Sequence, residues 1–383
     1  MARTWPVTRK KVIAFSAFDA VARPLASLFP RAKANGNGSV RKILVVELWH
    51  MGDVVLVTPF LSKLRQLFPD ARITLIAKPH AEELLRFSGL VDEVIPFDFP
   101  WTATEEKYRF SRYDRKALTG LLKRLRAERF DLTFDCRMDL RSNLLTRATR
   151  APRRVGYDFG GGGFLLTDSL PPPPLDQHKV DDWLALLGPV LPDWRQNTDD
   201  ASLPRLVVTD EECEEARKFL GLHDLGDDDM IVGIHPGGSH DGKRWPIENF
   251  EEAARSLAAK RNVNVLIFVD PEGTGANMQL GPTATFVRTS IREMMALMTR
   301  CATVICNDSG PMHIAAALGV PVVAMFTTGN PDWYGPQGAG HSVVGTGAPW
   351  GEVNDTITVS EVVEAAERNL HKLAGSRSAG GHR

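Results

Sequence analysis

The chain has 383 residues, of which 43% are apolar and 24% charged, and its formal net charge is −1. This length exceeds the usual size of one hydrophobic core and predicts two domains, while the composition is that of an ordinary globular protein. The near-neutral charge gives no global signal for nucleic acid binding. Because the sequence contains no run of 18 apolar residues, we expect no transmembrane helix. The four cysteines form no C-x-x-C pair and no zinc spacing, which favours a reducing, cytoplasmic setting.

The first 40 residues differ in charge from the rest of the chain. Residues 1–42 contain nine Lys or Arg and a single acid, Asp19. Apolar side chains between Phe15 and Phe29 recur at helical spacing, so the segment predicts a basic amphipathic helix followed by a flexible linker at residues 35–39. Such a helix either lies peripherally on the anionic inner face of the inner membrane, or packs on the neighbouring domain, or is a loosely ordered leader.

Apolar runs alternate with amphipathic segments from residue 43 onward. Strands are predicted at residues 43–47, 73–77, 93–96, 132–136, 230–235, 265–269, 302–306 and 322–326. Helices are predicted at residues 54–67, 81–87, 118–129, 142–149, 210–220, 247–261, 291–300 and 360–374. This order predicts an α/β fold with two Rossmann-like, doubly wound domains, at residues 41–195 and 196–358, and a C-terminal helix and tail at 359–383. Residues 97–117 interrupt the alternation and predict an inserted lid or surface loop.

The most informative segment is the predicted strand–loop–helix–strand unit at residues 302–326. Its loop lies at the carboxyl end of the strands, where open α/β sheets bind ligands. Backbone N–H groups at the helix start, together with the Ser309 hydroxyl, suit a phosphate. Asp308 has the wrong charge for that and suits a sugar hydroxyl, a backbone N–H or a cation. The alternative is that Asp308 and Ser309 only cap the helix, on which His313 is then a structural residue.

A glycine turn, His-Pro-Gly-Gly-Ser at residues 235–239, follows the first strand of the second half. Gly237 and Gly238 allow a phosphate to approach the main chain closely. Lys243 comes four residues after Ser239 and adds a positive charge to the same region. An ordinary glycine turn beside a solvated lysine is the alternative.

Five blocks of sequence follow one another in the order in which a known protein family has them. They are residues 43–59, 141–157, 235–246, 289–297 and 307–326. Together they resemble the glycosyltransferase family 9 heptosyltransferases, which attach heptose to lipopolysaccharide. The resemblance implies the GT-B fold, in which two such domains face across a cleft. It also implies a nucleoside-diphosphate sugar donor, ADP-heptose above all, an anionic envelope saccharide or glycolipid acceptor, and neither cofactor nor metal.

The resemblance assigns chemical tasks to particular residues. Asp53, which follows Gly52 in the first block, is the implied base of an inverting displacement; a helix cap is the alternative. Lys243 is implied to act on the donor phosphates, and Glu272 to bind the ribose, with Asp270 as its rival. The remaining predicted donor-binding residues are Gly237, Gly238, Ser239, Asp308, Ser309, Gly310 and His313.

The predicted acceptor site lies in the first domain. Arg141 and Arg154 make an edge of this domain basic, which suits an acceptor that carries phosphate or carboxylate, although ordinary solvated arginines are the alternative. Gly52 is placed at the same site. Two other functions stay open from the residues: a sugar-nucleotide hydrolase or epimerase, and a catalytically idle nucleotide-sugar-binding protein. The presence of both Asp53 and Lys243 argues against the idle protein.

Overall fold

The computed structural model describes residues 40–102, 114–174, 176–193, 202–261, 263–282, 284–346 and 356–379. The predicted N-terminal helix and most of the predicted lid lie outside the described residues. The chain divides into two compact units, Met1–Ser202 and Leu203–Arg383. The division therefore falls after residue 202, whereas the sequence placed it near residue 195.

The first unit is built on a six-stranded parallel sheet with the strand order β3-β2-β1-β4-β5-β6. Its strands are β1 Lys42–Val46, β2 Arg72–Ala77, β3 Glu93–Pro96, β4 Leu132–Asp135, β5 Arg153–Tyr157 and β6 Asp168–Leu170. Its helices are α1 Met51–Leu56, α2 Thr58–Leu67, α3 His80–Leu85, α4 Arg115–Glu128, α5 Leu140–Ala148 and α6 Lys179–Ala185. Since β1 lies between β2 and β4, residues that follow these three strands meet at one edge of the sheet.

The second unit repeats this plan with the strand order β12-β11-β10-β7-β8-β9. Its strands are β7 Ile231–His235, β8 Asn264–Phe268, β9 Ala284–Val287, β10 Thr303–Asn307, β11 Val322–Met325 and β12 Ser342–Val344. Its helices are α7 Asp210–Gly221, α8 Ile247–Arg261, α9 Ile291–Met298, α10 Gly310–Ala317, α11 Pro331–Tyr334 and α12 Val359–Ala379. All strand pairs in both sheets are parallel, which confirms the predicted fold class.

The central strands form the cores of both units. Residues 43–46 of β1 and residues 304–307 of β10 have no exposed surface. Helices cover both faces of such parallel sheets, so their central strands are apolar throughout rather than alternating. Among the described residues, no helix is long and apolar enough to cross a membrane.

The predicted helix at residues 54–67 is wrong in its boundaries and its continuity. The structure has α1 from Met51 and a separate α2 from Thr58, with Val57 between them. Pro59 lies in the first turn of α2 and lacks a backbone N–H, so it fits a new helix start better than a helix interior. The early start of α1 places Asp53 inside its first turn.

Candidate active site

Two motifs of the second unit meet at one edge of its sheet. The strands β7 and β10 are neighbours, and Cys306 is paired with His235 in their register. The His-Pro-Gly-Gly-Ser turn after β7 therefore lies beside the loop that follows Asn307. The structure thus brings together the two segments that the sequence predicted to bind the donor.

Lys243 and Asp308 form an ion pair at this edge. The Lys243 Nζ lies 2.5 Å from the Asp308 Oδ2, and the side chains are 18% and 7% exposed. Lys243 belongs to a short 3-10 helix, Asp241–Lys243, which the Thr327 hydroxyl holds by donating to the Gly242 carbonyl at 2.9 Å. The predicted phosphate-binding cation and the predicted sugar-binding acid are therefore direct partners.

Asn307 connects the same loops and was not among the predicted site residues. Its amide nitrogen donates to the carbonyls of Pro236 at 2.8 Å and Gly237 at 3.2 Å. Its amide oxygen accepts the backbone N–H of Trp245 at 2.9 Å. Because Asn307 is fully buried, this one side chain fixes the glycine turn relative to the segment that carries Lys243.

Replacing Asn307 by Ala should remove three hydrogen bonds and leave buried backbone groups unpaired. We expect the free energy of unfolding to fall by about 3 kcal/mol and the affinity for ADP to fall with it, because the glycine turn and the Lys243 segment lose their link. Chemical denaturation and calorimetry measure the two quantities. Asn277→Ala is the matched control, since Asn277 is exposed. Equal behaviour of the two variants would contradict the role of Asn307.

The glycine turn is tightly packed against Asp270. A Cβ atom at Gly237 would lie 2.5 Å from the Asp270 Oδ2 and 2.7 Å from the His235 Cε1, so only glycine fits without a shift. The Asp270 Oδ1 accepts the backbone N–H of Thr274 at 2.7 Å. Burial lowers the pKa of His235 to about 4, against the opposing charge of Asp270, so this imidazole is neutral at pH 7.

The two candidates for the ribose-binding acid differ in their surroundings. Asp270 is buried beside the glycine turn, whereas Glu272 is exposed in the turn that follows. Gly238 is half-buried, and the neighbouring Ser239 is exposed. The structure therefore places Asp270, and not Glu272, against the predicted phosphate loop, while Glu272 remains accessible to a ligand.

Ser309 precedes α10 in extended backbone conformation and is its N-cap residue by position. Its side chain makes no capping hydrogen bond, and its buried hydroxyl oxygen has no hydrogen-bond partner among the described residues. The alternative that Ser309 is only a cap therefore fails in its simplest form. Gly310 begins the helix, and His313 lies buried on it. By contrast, Ser290 and Glu293 form a complete capping box at the start of α9, which gives these two residues a structural role.

Asp53 lies in the first turn of α1 and takes part in capping that helix. Its Oδ2 accepts the backbone N–H of His50 at 3.1 Å, which makes Asp53 the distal member of a capping box rather than its N-cap. Gly52 beside it is buried, and Asp53 is partly exposed. The capping contact therefore leaves the Asp53 carboxyl group within reach of solvent, and its catalytic role stays a prediction.

Lys78 directly follows β2, at the edge of the first unit's sheet where Asp53 lies, and it was not among the predicted site residues. Its ammonium group donates to the Thr102 carbonyl at 3.1 Å. Burial lowers the pKa of Lys78, and so does the charge of Arg137, whereas Asp98 and Asp53 act in the opposite direction. The signal in the sequence was its position directly after a strand that neighbours β1.

The predicted acceptor-binding arginines fall into different environments. Arg141 is partly exposed at the start of α5, where its guanidinium donates to the Asp139 Oδ2 at 3.0 Å. Arg154 is buried on β5 and donates to the carbonyls of Ala151 at 2.5 Å and Leu165 at 2.9 Å. Burial lowers its pKa to about 10. These contacts give Arg154 a structural task and argue against the predicted contact with an acceptor.

A buried arginine that the sequence did not reveal stands beside Arg141. Arg137 donates to the Asp139 Oδ2 at 2.9 Å and to the Leu48 carbonyl at 3.2 Å, and its guanidinium lies 4.1 Å from the ring centroid of Trp49. This cation–π contact fixes the indole next to the turn that contains Asp53. Within the described ranges, no three His, Cys, Asp or Glu side chains are grouped to hold a metal ion.

The chain is similar to known proteins over most of its length. The family pattern described as glycosyltransferase family 9 (heptosyltransferase) matches residues 118–355, more than half of the chain. The lipopolysaccharide core heptosyltransferase OpsX of Haemophilus influenzae is 22% identical over 307 residues, which cover 76% of this chain and 80% of the relative.

Two solved structures share the fold. A glycosyl transferase family 9 protein from Veillonella parvula has a TM-score of 0.71 at 24% identity and covers 87% of this chain and 97% of its own. The E. coli ADP-heptose lipopolysaccharide heptosyltransferase II has a TM-score of 0.70 at 22% identity and covers 87% and 99%. The prediction of a GT-B type fold is confirmed.

Proposed function

Because the chain belongs to glycosyltransferase family 9, the heptosyltransferase family, we propose that it transfers heptose from ADP-heptose to a lipopolysaccharide-core or related envelope saccharide. The Haemophilus relative is named for the lipopolysaccharide core, and the E. coli structure for ADP-heptose. The observation that carries the proposal is the convergence of the glycine turn, Lys243 and Asp308 at one sheet edge of the second unit.

The second unit supplies groups that suit a diphosphate. Lys243 has three N–H donors and gives one to Asp308, so others are available to phosphate oxygens. The Ser309 hydroxyl and the first backbone N–H groups of α10 add neutral donors. As the donor bond breaks, negative charge grows on the leaving diphosphate, and a cation held in place stabilises that charge. Glu272 remains the proposed ribose-binding acid, with Asp270 as its rival.

The first unit supplies a carboxylate for the acceptor. In the proposed reaction, the acceptor hydroxyl oxygen bonds to the anomeric carbon of heptose while the bond from that carbon to the diphosphate breaks. Asp53 takes the hydroxyl proton, and ADP leaves with the bonding electrons. Direct displacement inverts the anomeric configuration. Gly52 directly precedes Asp53 in the sequence. Arg141 lies in the helix that follows β4, the neighbour of β1, and suits an anionic acceptor.

Release of ADP tests the proposal and separates it from its rivals. The chain is incubated with ADP-heptose, with and without a heptose-free lipopolysaccharide core. Release that depends on the saccharide supports transfer, and equal release without it indicates a hydrolase. An altered sugar nucleotide without release indicates an epimerase. Binding of ADP-heptose with neither change indicates an idle binding protein. UDP- and GDP-sugars serve as control donors and should release no nucleotide.

We also propose that the enzyme works in the cytoplasm at the inner face of the inner membrane, which residues 1–38 contact. Seven basic residues and a single acid within residues 1–38 support this, because each basic residue adds attraction to an anionic surface. Deleting residues 1–38 should leave the fold intact, since β1 starts at Lys42. It should weaken binding to vesicles that contain anionic lipid, most of all at low salt. Equal sedimentation of both proteins with such vesicles would overturn the tether, and unfolding of the shortened chain would indicate packing on the domain.

A further inference from the structure

Glu47 is a buried acid at the end of β1 for which neither the fold nor the proposed reaction has yet given a task. Its side chain has no exposed surface. The Oε1 atom accepts the backbone N–H of Trp49 at 2.9 Å, whereas the Oε2 atom has no hydrogen-bond partner among the described residues. An ionised carboxylate with one unpaired oxygen is costly at such a position, and a neutral carboxylic acid is much less so.

Glu47 and Asp53 hold the same turn through consecutive peptide groups. The N–H of Trp49 donates to Glu47, and the next N–H, that of His50, donates to the Asp53 Oδ2 at 3.1 Å. His50 is also the N-cap of α1, so the turn between the two contacts sets where the helix begins. Movement of the Trp49–His50 peptide would therefore move the partner that orients Asp53.

Charged and titratable groups surround Glu47 from two elements. Asp53 faces it from α1, and Asp135, Cys136 and Arg137 face it from the end of β4. Burial, followed by the charge of Asp53, raises the pKa of Glu47 well above its usual value, against the Trp49 N–H and Arg137.

The neighbouring Asp135 is a second buried acid, and its negative charge would disfavour the ionised form of Glu47. Asp135 is also fully buried, its Oδ2 has no partner in the described part of the chain, and burial raises its pKa to about 7. Arg137 faces this group but already donates to Asp139. Lys78, a second cation near Asp53, already donates to the Thr102 carbonyl. Three carboxyl groups close to two cations that are already engaged cannot all be ionised cheaply.

We propose that Glu47 is a positioning residue for the proposed reaction: as a neutral carboxylic acid, it fixes the Trp49–His50 turn and leaves Asp53 as the ionised carboxyl group of the pair. A second negative charge beside Asp53 would favour a proton on one of the two groups. Keeping that proton on the buried Glu47 leaves the partly exposed Asp53 able to accept the proton of an acceptor hydroxyl. This inference rests on the proposed role of Asp53.

Two substitutions separate charge from positioning. Glu47→Gln keeps a neutral group and an acceptor oxygen for the Trp49 N–H, so kcat should stay within about threefold of the wild-type value, and the acid limb of the pH profile should not move. Glu47→Met keeps the length but removes the acceptor, so kcat should fall about tenfold or more with little change in the KM for ADP-heptose. A Gln variant as slow as the Met variant would show that the charge is needed and overturn the proposal, and a Met variant at the wild-type rate would overturn it too.

Two measurements test the neutral state and the positioning role of Glu47 without relying on transfer activity. A failure of the proposed function can therefore be distinguished from a failure of this inference. The infrared difference spectrum of wild type minus Glu47→Gln at pH 7 should contain the carbonyl band of a protonated carboxylic acid. Its absence would overturn the neutral state. Hydrogen exchange at the amides of Trp49 and His50 should be faster in Glu47→Met than in Glu47→Gln, and equal rates would overturn the positioning role. Thermal unfolding and ADP binding establish that both variants are folded.

Discussion

Replacing Asp53 by Asn should lower kcat by about 10²- to 10⁴-fold, the usual contribution of a positioned general base, with ADP affinity nearly unchanged. The reason lies in what Asn retains and what it loses. Its amide oxygen can still accept the His50 N–H that Asp53 accepts at 3.1 Å, so the cap of α1 survives. An amide cannot take the proton of an acceptor hydroxyl, so the proposed base is lost.

A second acid at a helix start provides the control for this experiment. Glu82 lies in the first turn of α3, which follows the neighbouring strand β2, and is exposed. Glu82→Gln should leave kcat unchanged and so measure the effect of removing a charge at a helix N-terminus alone. Near-normal turnover of Asp53→Asn would show that Asp53 is a cap and that the base lies elsewhere. Asp53→Ala should add a loss of helix stability of about 1 kcal/mol.

Replacing Lys243 by Met should weaken ADP binding by about 10- to 100-fold, the effect of one charge-assisted contact, and should also slow transfer. The substitution leaves Asp308 without its partner, and the Asp308 side chain is only 7% exposed. Part of any loss could therefore come from an unpaired buried acid and not from the phosphate. Calorimetry of ADP binding has to separate these two contributions.

The double variant Lys243→Met with Asp308→Asn makes that separation. If Lys243 acts on the phosphates, the double variant regains stability in chemical denaturation but still binds ADP weakly. If the ion pair is only structural, the double variant regains ADP binding as well, which would contradict the proposed role. Lys218→Met serves as the control, because Lys218 is an exposed lysine on α7 of the same unit.

The sequence predicted the central strands well because burial itself produces their pattern. β1, β7, β10 and β11 are apolar runs covered on both faces, so hydrophobicity alone marks them. The strands β5, β6, β9 and β12 were not predicted. β5 begins with two arginines, and the other three are edge or near-edge strands of three or four residues, so local sequence carries little signal for them.

The site shows a similar division. For motif residues such as Lys243 and Asp308, the local sequence and the family order were enough to predict donor binding, and the structure brings the two side chains together. Their ion pair could not, because it joins residues 65 positions apart. Asn307 and Arg137 act through contacts with distant backbone carbonyls, at Pro236 and Leu48. The role inferred for Glu47 depends on its complete burial, which the local sequence does not reveal. Such long-range contacts follow from strand order, which the helix–strand alternation does not specify.

The configuration of the product tests the central claim most directly. The chain is incubated with ADP-heptose and a heptose-free lipopolysaccharide core, and the purified saccharide is analysed by NMR. If Asp53 assists a direct displacement, the product carries a new heptose whose anomeric configuration is opposite to that of the donor. Heptose attached with the donor's configuration, or found only as free sugar, would contradict the account.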